Sequence, residues 1–236
     1  MNIFLYVNYQ MASQKTIPIV FIEGGIGCGK STLVKHIQEY CLKHKLRFLT
    51  IQEPVDLWNE IKDESGKNMI EAFYEDQEKH AFAFQMMAYI TRLQKLQEAY
   101  ESAKDKYDLL VCERSLHTDK HVFCQMLYDE GKIDTYGYKI YNQWFYHFQS
   151  FIHSAMFVYL KTDHTVCYER IQKRQRSGES NISSEYLRKN NEYHDKWLLQ
   201  YDNVMVLDGN QDCTKNEELL NMYCKQILDH VTSHFI

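Results

Sequence analysis

The chain has 236 residues, 44% hydrophobic and 25% charged, which is enough apolar mass for one large domain with a proper core. Its net charge of −5 argues against a nucleic-acid partner, and no apolar run approaches the roughly 20 residues of a membrane span. Seven cysteines, an odd number without a Cys-x-x-Cys pair, read as reduced thiols of a cytoplasmic protein.

The opening, "MNIFLYVNYQMASQK", has neither the basic start and apolar stretch of a signal peptide nor an Arg for a transit peptide. Residues 1–16 read as a disordered N-terminal extension, the first ten dispensable or an upstream start before Met11, and 17–236 as one domain. "IPIVFIE" is a β-branched apolar run that a Gly-rich turn follows. "STLVKHIQEYCLKHK" then predicts a helix with Leu33, Val34, Ile37 and Cys41 on one face. "LRFLTIQEP" predicts a second strand, and Glu71 to Ser102 one long helix with Phe82, Met86, Tyr89, Leu93, Leu96 and Tyr100 as its core stripe. "DLLVCERS" predicts a third strand, followed by a helix and the aromatic helical stretch "YKIYNQWFYHFQSF". "AMFVYLKT" and "VMVLDG" predict the last two strands, each followed by helix. Strands alternating with helices predict an α/β fold whose parallel sheet is covered on both faces.

Gly24, Gly29, Lys30 and Ser31 satisfy G-x-x-x-x-G-K-[ST] between a predicted strand and a predicted helix, the context that makes a phosphate-binding loop credible. Its glycines let backbone N–H groups wrap phosphates at a helix N-terminus. Lys30 then reaches the β- and γ-phosphates, and Ser31 a Mg²⁺ ion. Cys28 lies inside this loop, where a thiolate is favoured, so alkylation is expected to inactivate unless Mg-ATP protects; a buried filler thiol is the alternative. A GTPase would carry N-K-x-D, which is absent, and "DESG" at 63–66 follows no apolar strand. Because the third strand closes on Glu113, Arg114 and Ser115, a phosphotransferase with its own acceptor pocket is favoured over a motor or switch.

The motifs "EGGIGCGKST", "EPVDLW", "FAFQ", "ERSLHTDKHVF" and "ERIQKRQRSGE…EYLRKNNEYHDKWL" stand in the order seen in cellular and viral deoxynucleoside kinases, and the chain resembles that family from about Ile17 to Asp212. Its nearest likeness is to the deoxycytidine/deoxyguanosine kinase branch. The resemblance implies a P-loop kinase fold, three layers α/β/α around a five-stranded parallel sheet with a lid, and a homodimer packed through helices. It implies transfer of the γ-phosphate of Mg²⁺-ATP, or of another triphosphate, to the 5′-hydroxyl of a deoxynucleoside in nucleotide salvage.

The resemblance makes Glu53, at the end of the second strand, the base for the 5′-hydroxyl, Arg114 the group on the phosphoryl oxygens, and Glu113 a partner of Ser31 on the metal. The donor would be held by Gly24, Gly25, Gly27, Cys28, Gly29, Lys30, Ser31, Thr32 and Asp212, with Arg170, Arg174 and Arg176 from the lid. Glu179 and Tyr74 would grip the 3′-hydroxyl. The nucleoside pocket would take Trp58, Ile70, Phe73, Phe84, Gln85, Ala88, Arg92, Asp119 and Phe123. Gln85, Ala88 and Arg92, at i, i+3 and i+7, share one helix face. In this family an Arg and an Asp at these positions accompany cytosine and purine substrates, which implies thymidine as a poor one. Phe73 stands where the family often has Met, Gly178 replaces one acid of a frequent Glu-Glu pair, and Cys213 replaces an aromatic near the donor base. Two other readings stand beside this one: a thymidylate-type nucleoside monophosphate kinase, and a nucleotide-binding subunit that transfers nothing.

Overall fold

The structure is a computed structural model that describes residues 16–149, 155–174, 176, 178–179, 181–212 and 216–235. The expectation for residues 1–16 falls outside these except at Thr16, and Cys213 lies outside them too.

Among the described residues, β1 (Ile19–Glu23), β2 (Phe48–Ile51), β3 (Leu109–Glu113), β4 (Ala155–Lys161) and β5 (Met205–Asp208) form one parallel sheet in the order β2-β3-β1-β4-β5. β1 is central, with Ile19 opposite Leu110 on one side and Ala155 on the other. Its five residues are all buried, as a strand covered on both faces requires. Their alternation splits the core. Val20 and Ile22 face a cluster with Leu33, Val34 and Ile37 of α1 (Lys30–Lys43), joined by Leu220 and Ile227 of α9 (Glu217–Phe235). Ile19 and Phe21 face the other way, onto Leu96 and Ala103. Each of these side chains, fully buried, contributes on the order of 1.5–3 kcal/mol. The three layers follow.

The long predicted helix is interrupted. α3 (Met69–Glu75) ends and α4 (Gln77–Ala103) begins at Asp76, whose carboxylate accepts from Lys79 N at 3.1 Å and caps the new helix. A capping box between Asn68 and Glu71 starts α3, after α2 (Val55–Glu60). The predicted stripe lies wholly within α4: Tyr89, Leu93 and Leu96 are buried, with Phe82, Met86 and Tyr100 half-buried beside them.

After β3 a continuous helical run, α5, comprises Leu116–Thr118, a π-helical stretch Asp119–Cys124, and Gln125–Asp129. The aromatic stretch becomes α6 (Thr135–Phe148), which packs on α4 through Tyr89 and Tyr141, ring centroids 5.6 Å apart. α7 (His164–Arg174) and α8 (Ser184–Leu198) flank the lid segment and precede β5.

Candidate active site

At the C-terminal end of β1 the chain turns through Gly24–Gly29 into α1. A side chain at Gly24 would place its Cβ 2.7 Å from the Leu160 carbonyl oxygen, and one at Gly27 2.8 Å from that of Cys167. Both have positive φ, +144° and +81°, so only glycine lets this loop lie against β4 and α7. Lys30, 4% exposed, donates to Gly24 O at 2.9 Å and Gly25 O at 2.7 Å. Its ammonium thus sits on the loop's own carbonyls, beneath the helix start where phosphate oxygens are drawn.

Two strand-end carboxylates converge here because β2 pairs with β3. Ser31 Oγ donates to Glu113 Oε1 at 2.7 Å, the hydroxyl–carboxylate pair that the sequence places on Mg²⁺. Such hard oxygens, completed by waters and phosphate, fit that ion. Among the described residues no group of three or more His, Cys, Asp or Glu stands ready to hold a metal ion. Glu53 is half-buried between two guanidiniums: its Oε1 lies 2.8 Å from Arg92 Nη2 and 3.4 Å from Arg114 Nη1. Burial works to raise the Glu53 pKa, but Arg114, Arg92 and Lys30 together overcome it and hold the carboxyl at about 2. Glu53 is therefore ionised at any working pH, and as a base it is weak.

Arg114 has φ +67°, a left-handed conformation that costs a non-glycine residue about 1 kcal/mol or more. It is held by its N–H on Ile22 O at 3.0 Å, by Nη2 on Gly24 O at 3.2 Å, and by its guanidinium 4.8 Å above the Phe123 ring. This turn aims Arg114 across the cleft instead of along α5.

A cleft of about 730 Å³ joins these groups. Trp58, Ile70, Tyr74, Phe84, Gln85, Ala88, Arg92, Asp119 and Phe123, expected at the nucleoside, all line it. Arg92 donates through Nε to Asp119 Oδ2 at 2.8 Å and through Nη2 to Oδ1 at 3.2 Å, and both residues are buried. Burial pushes the Asp119 carboxyl above its usual range, with Arg92 working against it. Gln85 Oε1 and Arg92 Nη1 are buried without a hydrogen-bond partner among the described residues, an acceptor and a donor in one wall. Phe73 departs from expectation. It is 1% exposed and stacked on Phe84 at 4.4 Å, one ring behind the wall, so it shapes the pocket only through Phe84.

On the donor side the lid carries a second surprise. Arg170, expected on phosphate, gives its guanidinium to four backbone carbonyls: Cys28 O at 3.0 Å, Gly209 O at 2.9 Å, Asn210 O at 3.3 Å and Gln211 O at 2.9 Å. It ties the phosphate loop to the segment after β5 that holds Asp212 at the cleft. Arg174 pairs with Glu179 through two contacts of 2.6 Å, and Arg176 lies 3.6 Å from the same carboxylate. Tyr74 and Glu179 both line the cleft, and burial, then the charges of Tyr186 and Glu179, push the Tyr74 phenol well above its usual value. The missing lid acid has a steric reason: Gly178 has φ +82°, and a Cβ there would lie 3.0 Å from Ile70.

Cys28 lines the cleft yet is 1% exposed, the burial that a filler thiol has. Several participants escaped the sequence reading. Thr91 accepts the Trp58 indole N–H at 2.8 Å and so fixes that ring, and the carbonyls of Gly209, Asn210 and Gln211 have no side-chain signature at all.

A family model described as deoxynucleoside kinase matches residues 20–234. The chain is 30% identical to a protein of Gallus gallus named deoxycytidine kinase 2, over 93% of this chain and 91% of that one. It is 28% identical to a fowlpox virus protein named a probable deoxycytidine kinase, covering 92% and 89% of the two chains. The Homo sapiens deoxycytidine kinase is 28% identical, over 94% and 95%.

Proposed function

The chain belongs to the deoxynucleoside kinase family and is a phosphotransferase with ATP as donor; from that premise we propose that its preferred acceptors are deoxycytidine and the purine deoxynucleosides, well ahead of thymidine. The observation that carries this reading is the buried Arg92–Asp119 pair lining the cleft beside Gln85. A glutamine amide offers one donor and one acceptor and turns over to suit any base, so Gln85 alone cannot choose. Arg92 takes the space that the thymine methyl group needs, and Asp119 favours bases with an exocyclic amine. The relatives named deoxycytidine kinase agree with this choice.

In the proposed reaction the 5′-hydroxyl lies against Glu53, which accepts its proton as the phosphoryl group leaves the donor. A carboxylate held near 2 is a weak base, so orientation in the cleft and charge from Lys30, Arg114 and Arg174 carry most of the acceleration. Bound at Ser31 and Glu113, Mg²⁺ would neutralise charge on the donor phosphates. Tyr74 and Glu179 would hold the 3′-hydroxyl and leave little space for a ribose 2′-hydroxyl.

The protein is proposed to act as a homodimer. Tyr136, Ile140 and Trp144, 79%, 45% and 45% exposed, form a stripe at i, i+4 and i+8 on α6, and Ile90 is exposed on α4, the helix that packs against it. A reducing compartment such as the cytoplasm suits six described cysteines that are all unpaired.

ADP release is to be measured with each deoxynucleoside, with each deoxynucleoside monophosphate, and with no acceptor. Turnover with deoxycytidine or a purine deoxynucleoside is expected. Thymidine as the best substrate would refute the base assignment, and a monophosphate as the best would move the acceptor site to the monophosphate kinase reading.

A further inference from the structure

One fully buried carboxyl in the site has no part in the chemistry above. Glu23, the last residue of β1, is 0% exposed and directly precedes the phosphate loop. Its Oε2 accepts a short hydrogen bond from Thr118 Oγ1, and its Oε1 has no partner among the described residues. Thr118 and Ser115 are also 0% exposed. The Ser115 hydroxyl oxygen accepts from His117 N at 3.1 Å and Thr118 N at 3.2 Å, closing the first turn of α5. This turn is short and heavily used. Glu113, Arg114 and Asp119 lie within it or at its ends, serving in the proposed reading the metal, the phosphoryl group and the base.

A buried carboxyl is costly, and burial pushes that of Glu23 above its usual range. An apolar residue would fill the space at less cost. What Glu23 adds is a side-chain link from the strand of the phosphate loop to the turn that carries the acceptor groups. The other ties there, the Arg114 N–H on Ile22 O and Arg114 Nη2 on Gly24 O, both run through the residue whose φ is left-handed. Ties through one residue leave the turn beyond it free to pivot; a further tie at Thr118 removes the pivot.

We propose that Glu23 is a positioning residue, whose hydrogen bond to Thr118 fixes the Arg114–Asp119 turn in register with the phosphate loop. It touches neither substrate. It acts through Arg114 on the transferring phosphoryl and through Asp119 on base choice, and so rests on the roles proposed for those two residues. Its loss lowers kcat and narrows the preference for deoxycytidine over thymidine together, while donor binding, which the loop itself provides, is kept.

Thr118→Val removes the donor at constant shape, and Thr118→Ser keeps it. Glu23→Gln keeps an acceptor oxygen, and Glu23→Asp draws the carboxyl back by one methylene. Kinetics for deoxycytidine, thymidine and ATP are to be measured beside melting temperature. Thr118→Val and Glu23→Asp are expected to lose about 10-fold or more in kcat, the scale of a displaced catalytic group, with KM for ATP within about 2-fold. Thr118→Ser and Glu23→Gln are expected within about 3-fold of the parent, since the hydrogen bond survives. Should Thr118→Val not fold, Glu23→Asp against Glu23→Gln gives the same comparison. Wild-type kcat in both disruptive variants, or a lowered melting temperature with kcat unchanged, overturns the proposal. Arg114→Lys is the companion control: full kcat there would fault the role of Arg114, whereas a damaged Arg114→Lys beside unaffected Thr118 and Glu23 variants would fault Glu23 alone.

Discussion

Removing Arg92 and removing Asp119 are expected to have unequal costs, because the two charges are unequally partnered. Among the described residues Asp119 has hydrogen bonds from Arg92 alone, at 2.8 and 3.2 Å, whereas Arg92 also holds Glu53 at 2.8 Å. Arg92→Met strands a buried carboxylate, which costs about 3–5 kcal/mol. Asp119→Ala leaves Arg92 its Glu53 partner, and about half that cost is expected. The double variant leaves no orphan on that side, since Glu53 retains Arg114 at 3.4 Å, so the singles should exceed the double by a coupling of about 2 kcal/mol. In a chain of this length each kcal/mol is worth roughly 2–4 °C in melting temperature, which puts Arg92→Met about 10 °C below the parent. The sign with pH follows from Asp119. Its folded pKa already lies above the unfolded value, and losing Arg92 raises it further. A group so raised stabilises fully in acid and loses that contribution as pH climbs through the folded pKa, so the deficit of Arg92→Met should grow with pH, from a value inside the ordinary carboxylate range to one well above it. Urea and thermal denaturation of the four proteins at both pH values complete the cycle. Effects that simply add, or equal losses from the two singles, would refute the reasoning from unequal partners. The same double variant should accept thymidine better than the parent does.

Glu53→Gln should bind nucleoside normally and lose about 10²–10⁴-fold in turnover, as steady-state kinetics with isothermal titration will tell; full activity removes Glu53 from the mechanism. Because its carboxyl is held down at about 2, it stabilises the fold above its unfolded pKa and that contribution fades as pH falls toward 2, so no alkaline effect on stability should trace to Glu53. Arg170→Met releases four carbonyls around the donor segment, and KM for ATP should rise about 10-fold with nucleoside KM nearly unchanged, since hydrogen bonds to a charged group are among the strong ones. An unchanged KM for ATP would mean that this tie is irrelevant to donor binding.

The fold was readable because apolar periodicity is local. Each of the five strands lies within a short segment predicted as strand, and Leu33, Val34, Ile37 and Cys41 are on the buried face of α1. The break at Asp76 was missed because it lies before the apolar stripe, which begins only at Phe82, and its cap is a single side-chain bond to Lys79 N. Site membership was legible in motif order, and all but Phe73, Gly24 and Gly25 of the predicted binding residues line the cleft. Their partners were not. That Arg170 faces carbonyls, or that Arg92 reaches Glu53 as well as Asp119, depends on backbone placed by distant segments. The left-handed φ of Arg114 had no signal either, because the usual marker for such a turn is glycine.

The central place of β1 has a consequence during synthesis. Both of its sheet neighbours come much later in the chain: Ile19 pairs with Leu110 and with Ala155. The strand that bears the phosphate loop thus leaves the ribosome before either neighbour, and its edge toward β4 stays open well after β3 has followed. Contacts between such distant segments are slow to close. An unpaired apolar strand is also a site of early aggregation, so expression yield should depend on how long that edge stays open. Truncation before β4 would leave β1 with one open edge, and such fragments are expected to be insoluble even though they contain the whole phosphate loop.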